Sequence, residues 1–370
     1  PRILVRVRVV DGDLSFEPAM REDTEKLWRA LEKLRQIWGD PDIPTEEMTP
    51  YGGVTLGDVP KIFGKYYKLF NSRQLLTLIK LVKLIRKIGK RIEKKKIEEG
   101  WSKKEAFRYA EAIATYLSIA LIRYADYNTL CTVWNYGGQL PAQVAHTLSM
   151  RGIAMMWNWG DVSPFAVMSG TGTLFMSLQK LSKTLNYLLN ALSGSASTPK
   201  TVCDDATKLI KLNSDKKFDV IITDPPYRGD VPYAELSDFY YVWLKRTLSD
   251  VSDVGGIKVR VPKFLAEAFF ENDMEIETQW KAFAAKEVSE HKGREVIGKG
   301  IGTFEHFKKL LMSAFKAMVS KLSNDGILAT YYAHTSPDAW EALLEAGWKS
   351  AKMKMTAAHA LVTESAQRVT

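Results

Sequence analysis

Phe218-Asp219-Val220-Ile221-Ile222-Thr223 runs without a break into Asp224-Pro225-Pro226-Tyr227. The first six residues form the β-branched, apolar run of a strand buried in a parallel sheet. In an open α/β sheet such a strand delivers its C-terminal end to the ligand crevice. Here that end carries a carboxylate, two prolines and an aromatic ring.

These four residues suit one task, the methylation of a planar amine. The exocyclic amine of a base is a poor nucleophile because its lone pair is delocalised into the ring. Two acceptors that hold its hydrogens draw the nitrogen toward a tetrahedral shape and free the lone pair. Asp224 supplies one acceptor. The carbonyl of Pro225 supplies the other, pre-aimed because the two rings fix φ. Tyr227 stacks on the face of the base. The competing interpretation is a proline turn with a capping aspartate. The strand before it is the context that the catalytic motif requires, and the whole resembles the signature of amino-methyltransferases that use S-adenosyl-L-methionine.

Working outward, 370 residues suffice for one large or two ordinary domains. Lysine and arginine number 52 against 43 acidic residues, a net charge of +9 that favours a polyanionic partner. Two cysteines, Cys131 and Cys203, exclude a disulfide framework and a cysteine zinc site within this chain. The histidines show no metal spacing, so no metal is expected. His334 reads as a surface residue. There is no apolar run of about 18 residues and no signal-peptide pattern. A cytoplasmic protein without a membrane partner is expected. The chain begins at Pro1 and reads as a fragment or a processed product.

The pattern divides into three regions. Residues 1–60 hold a hairpin over 2–17, turning at Asp11-Gly12-Asp13, a helix over 21–38 and a connection rich in proline and glycine. Residues 61–150 are helical and basic. A helix over 71–99, capped by Asn71 or Ser72, carries an apolar stripe from Leu75 to Ile88. Its Lys83, Arg86, Lys87, Lys90 and Arg91 read either as phosphate contacts or as a solvated face. A second helix spans 102–127.

Residues 151–370 form the catalytic region, with an insertion at about 247–300. A helix is expected over 174–192, then a short strand ending at Cys203-Asp204-Asp205-Ala206, a short helix and the strand 218–223. Further on, a helix over 303–322 precedes a turn at Asn324-Asp325-Gly326 into a strand over 327–332. A helix over 337–346 ends at Gly347, and a strand pair closes the chain. This order points to a doubly wound α/β sheet with an added helical region.

Asp205 lies 19 residues before Asp224, at the end of the expected preceding strand. A carboxylate there accepts from the adenine amine of a nucleotide cofactor, with Ala206 and Thr223 along the same edge. The alternative is that Asp204 and Asp205 cap the next helix. The string Ser169-Gly170-Thr171-Gly172-Thr173 is a weak glycine signal with no clear strand before it. Tyr233 and Glu235 follow the motif closely enough to line a target pocket.

Four blocks together resemble one family: Asp224 to Arg246, Trp157 to Phe165, Ser72-Arg73-Gln74-Leu75-Leu76, and Ala333 to Gly347. It is the group of adenine-specific DNA methylases containing a zinc ribbon. The resemblance implies a class I methyltransferase fold, Rossmann-like, with S-adenosyl-L-methionine as donor and the exocyclic amine of a DNA base, adenine N6, as acceptor. It implies that Asp224, Pro225, Pro226 and Tyr227 carry the transfer. Members of the family also carry an Asp-Pro-Phe-type glycine loop and a cysteine zinc ribbon, which this chain lacks. The expectation is therefore a C-terminal portion completed by an upstream segment or a partner chain. RNA or another amine is the alternative acceptor. A nucleic-acid-binding module with an incomplete methylase site is the alternative class.

Overall fold

The computed structural model describes residues 3–10, 13–49, 59–135, 143–148, 153, 156, 158–167, 172–194, 199–212, 216–229 and 231–361. The chain is mixed α/β, dominated by helix, with small sheets. It divides into two compact units that interleave in sequence: Pro1–Thr198 with Val231–Ala284, and Pro199–Asp230 with Ala285–Thr370. These boundaries differ from the three sequential regions expected. The stretch 151–198 and most of the anticipated insertion belong with the N-terminal helices.

The first unit opens with an antiparallel hairpin, β1 (Val5–Val10) and β2 (Asp13–Pro18), with Val10 opposite Asp13. The expected turn at Asp11-Gly12 lies outside the described residues, and Asp13 already belongs to β2. Helix α1 (Arg21–Gln36) follows. The long helix α2 (Ser72–Glu98) is started by Asn71. Its side chain accepts from the N–H groups of Arg73 and Gln74, while Gln74 reaches back to the Asn71 N–H. Helix α3 (Lys103–Asp126) starts on the same device, with Ser102 and Glu105. Such reciprocal caps satisfy two otherwise orphaned donors, which is why both starts are legible in sequence.

Short strands β3 (Val133–Asn135) and β4 (Gln143–Ala145) pair antiparallel. Helix α4 (Leu174–Leu192) is capped by Thr173 and leaves Tyr187, Leu188, Leu189 and Leu192 exposed. The core lies where α2 and α3 meet helix α5 (Tyr233–Leu248). Leu75, Leu78, Ile79, Val82 and Ile85 pack with Leu121, Tyr124, Phe239, Val242 and Trp243. Two further hairpins finish the unit. They are β6 (Asp250–Val254) with β7 (Ile257–Val261), and β8 (Phe270–Glu271) with β9 (Met274–Glu275).

The second unit contains β5 (Phe218–Thr223) paired in parallel with β10 (Leu322–Thr330). Helix α6 (Phe304–Lys321) leads directly into β10, and α7 (Pro337–Leu344) follows it. Phe307, Leu311 and Phe315 of α6 pack with Ala342, Leu343 and Ala346 to form the core.

Four expectations are corrected here. Residues 201–205 form no strand, and 206–208 make a turn rather than a helix. The cause is local. Asp204 accepts from the N–H groups of Asp205 and Lys211, and Asp205 accepts from the N–H and hydroxyl of Thr207. Aspartates that bind their own backbone compete with a ladder. Asn324-Asp325-Gly326 is not a turn, because β10 already begins at Leu322 and passes through them with a register irregularity before Ile327. Ser323 donates to Asp219 across that irregularity. Residues 352–361 carry no strand, so no strand pair closes the described chain. Finally, β5 and β10 are the only parallel pair among the described residues, in place of a doubly wound sheet.

Candidate active site

Strand β5 ends at Thr223, whose carbonyl accepts from the Tyr331 N–H at 2.9 Å. The ladder thus closes just before Asp224, and the motif leaves the sheet edge as irregular backbone. Asp224 is exposed, whereas Pro225, Pro226 and Tyr227 are half-buried. The Tyr227 hydroxyl donates to Asp224 Oδ1 at 2.7 Å, so the two side chains assigned to the transfer are joined directly. The Pro226 carbonyl accepts from the Arg228 N–H at 3.1 Å, but no hydrogen bond reaches the Pro225 carbonyl among the described residues. It is the acceptor assigned to the amine, and it is available.

Arg228 organises the turn. Its φ of 58° lies in the left-handed region that few non-glycine residues adopt. Its side chain holds the backbone there. Nε lies 2.5 Å from Glu290, Nη1 donates to Ser336 at 3.1 Å, and the guanidinium lies over the Phe304 ring at 4.4 Å. The Arg228 carbonyl also accepts from the Glu290 N–H. Gly229 is required by this approach, since a Cβ there would meet the Glu290 carbonyl at 2.5 Å.

An aromatic row extends from the motif. Tyr227 meets Tyr332 edge-on at 5.3 Å, and Tyr332 meets Trp340 at 5.2 Å. Trp340 is anchored by its indole N–H on the His334 carbonyl, and the Tyr332 hydroxyl donates to the Ala339 carbonyl. Burial pushes the Tyr332 hydroxyl up to about 12, so it stays protonated at neutral pH. His334 is pushed below its ordinary value by burial and by Arg228, while its Nδ1 accepts from the Ser336 N–H. It therefore works as a local acceptor.

The remaining candidates are placed differently. Asp205 is engaged in its own turn through one carboxylate oxygen. Thr207 holds its Oδ1 through both N–H and hydroxyl, which also lowers its pKa. The expected alternative, a cap on a following helix, is not what forms either, because 206–208 is a turn. Ala206 is exposed in that turn, and Thr223 serves the ladder. Tyr233 and Glu235 belong to the first unit, with Tyr233 exposed at the start of α5 and Glu235 buried.

In the basic helix, Lys83 pairs with Asp40 at 2.6 Å, Arg86 with buried Asp42 at 2.6 Å and Lys90 with Asp250 at 2.5 Å. Lys87 and Arg91 are exposed. Three of the five cations are therefore neutralised within the molecule. Gly170 and its neighbours at 168–171 lie outside the described residues. Gly172 abuts the Tyr127 ring so closely that a Cβ would lie 2.0 Å from it, and Thr173 caps α4. Arg73 donates to Asp161, as does the neighbouring Asn71. Trp157 lies outside the described residues.

Arg228, Glu290, Tyr332 and Trp340 are the residues that sequence analysis missed. The signal for Arg228 is its place directly after the motif, and for Tyr332 its place at the end of the neighbouring strand. Among the described residues no group of histidine, cysteine or acidic side chains is placed to hold a metal, and no helix is long and apolar enough to cross a membrane. No family model, no curated protein and no solved structure matches the chain.

Proposed function

We propose that the chain is the target-amine half of an S-adenosyl-L-methionine-dependent methyltransferase acting on a nucleic-acid base, adenine N6 in DNA. One observation carries this reading. Asp224, at the end of a parallel strand, is linked to the Tyr227 hydroxyl beside a Pro225 carbonyl that has no partner among the described residues. A base extruded from its helix would lie on the Tyr227 ring. Its amine hydrogens would go to Asp224 and the Pro225 carbonyl, leaving the nitrogen lone pair exposed. Catalysis of this kind is mostly positioning, and Arg228 supplies the rigidity by locking the turn from behind.

The described residues do not fit a complete donor site. Asp205 is engaged by Thr207, and β5 has no strand partner other than β10 among them. An upstream segment or a partner chain is the proposed source of the rest. A binding module with an incomplete methylase site is the second reading, favoured by the engagement of Asp205. Transfer of a labelled methyl group to DNA separates the two, and unlabelled RNA as competitor tests the acceptor. Label that enters DNA and resists RNA competition supports the first reading. Tight DNA binding without transfer, even when the upstream segment or partner chain is supplied, supports the second.

A further inference from the structure

The second unit carries another polar feature, at the opposite end of its sheet from the Asp224 turn. A cavity of about 470 Å³ lies between the turn at 208–212 and the end of α6. Among the described residues its charged lining is cationic: Lys200, Lys208, Lys211 and Lys321. Asp204 and Asp205, which precede the pocket's turn, accept from backbone donors of their own loop.

The turn that forms one wall is held in an unusual shape, since Leu209 has a φ of 49°, left-handed for a non-glycine residue. Strain of this kind marks sites over-determined by their surroundings. The other wall is fixed, because Lys321 is buried and donates to the Leu212 carbonyl. Lys200, Lys208 and Lys211 are exposed and form no ion pair among the described residues. Lysines gathered around one concavity repel one another and raise the local concentration of anions. Lysine binds phosphate as a compact point charge. By contrast, the basic helix α2 has already spent Lys83, Arg86 and Lys90 on internal acids.

We propose that Lys200, Lys208, Lys211 and Lys321 form a phosphate-binding pocket that grips the backbone of the nucleic acid whose base reaches Asp224. The identity of the phosphate carrier rests on the functional reading above, whereas the phosphate chemistry does not. The geometry adds a span. Lys217 precedes β5 and donates to the Ser320 carbonyl of the pocket rim, while Asp224 follows the other end of β5. Seven residue steps at roughly 3.3 Å each separate Lys217 from Asp224 by about 23 Å. That is about seven base-pair steps of duplex at roughly 3.4 Å per step.

The test combines Lys200→Gln, Lys208→Gln and Lys211→Gln in the full chain; all three are exposed, and circular dichroism checks the fold. Duplex DNA binding is followed by fluorescence anisotropy across a salt series, with inorganic phosphate titrated separately. The triple variant is expected to bind at least tenfold more weakly at low salt. Its log-affinity slope against log salt is expected to fall by about 2 to 3, at roughly 0.9 per lost contact. An unchanged slope and affinity would overturn the proposal. Lost inorganic-phosphate binding with unchanged DNA binding would also overturn it, by assigning the pocket to a free phosphate compound. Asp224→Ala separates the two claims. If it abolishes methyl transfer while the triple variant keeps the wild-type slope, the pocket fails and the functional reading stands.

Discussion

Among single residues, one tyrosine does two things in the proposed site. Under the proposed function Tyr227 offers its ring to the base, and its hydroxyl donates to Asp224. Tyr227→Phe removes only the hydrogen bond, and because Asp224 is exposed the loss is expected to be about 0.5–1.5 kcal/mol in the transition state. Tyr227→Ala also removes the stack and is expected to cost a further 1–3 kcal/mol or so in binding. Steady-state kinetics with both variants measures the difference. A Phe variant as damaged as Ala would assign the whole effect to the hydroxyl. The second prediction concerns Arg228. Arg228→Ala breaks the Glu290 and Ser336 contacts and leaves a non-glycine residue at a φ of 58°. It is expected to lower both turnover and the thermal midpoint, and Arg228→Lys is expected to recover little, because the forked contacts need a guanidinium. Wild-type turnover in Arg228→Ala would show that the turn holds itself. The motif was legible because strand and turn are contiguous. The role of Arg228 was not, because its carboxylate partner lies 62 residues away.

At the scale of elements, the helices announced themselves through caps and apolar stripes, and the ends of α2, α3 and α4 fall within a residue or two of their sequence-derived positions. The charges were harder to read. The α2 cations looked alike in sequence, yet Arg86 is bound to Asp42 while Arg91 is exposed. Only the fold distinguishes them. Helix α5 hides a similar polar set. Arg246 forms a forked pair with Glu46, and Lys245 joins it. Burial opposes ionisation of Glu46, but Arg246 and Lys245 prevail and hold it at about 2. Asp238 goes the other way. Burial pushes it up to about 7, despite backbone N–H groups from Gln279 and Trp280 that favour the anion.

The signs follow from linkage. Glu46 stabilises the fold above the ordinary carboxyl range, and that contribution is lost as pH falls toward 2. Asp238 favours the fold below its unfolded value, near 3.9, and that contribution is lost as pH rises through 7. Asp238→Asn is therefore expected to flatten the stability profile between about pH 4 and 7. At pH 8 it is expected to raise stability by an amount on the order of 1–3 kcal/mol. Urea unfolding at a series of pH values checks this. An equal loss at every pH would mean that Asp238 serves the fold as an anion.

At the scale of the whole molecule, the parallel pair β5–β10 is the least self-sufficient part. Parallel strands are ordinarily covered on both faces, yet Val220 is 56% exposed, Ile222 68% and Ile327 63%. The sequence promised a buried strand because its residues are those of one, while covering layers depend on contacts that no local pattern encodes. Ile222→Thr keeps β-branching and is expected to change stability by less than about 0.5 kcal/mol. A large loss would show that the face is covered. The same shortage of strands predicts that the 370-residue chain binds S-adenosyl-L-methionine weakly. Calorimetry is expected to show no saturation at micromolar donor, and micromolar affinity would return the Gly170–Gly172 string to candidacy as a cofactor loop.

The central claim is that Asp224 acts on a base amine. Its most direct test supplies labelled S-adenosyl-L-methionine at millimolar concentration, to offset weak binding, together with DNA. Wild type and Asp224→Ala are compared, and the DNA is digested to nucleosides. The account predicts label in N6-methyldeoxyadenosine with wild type and a loss of several orders of magnitude with Asp224→Ala, while DNA binding persists. Equal labelling by the two proteins would contradict it.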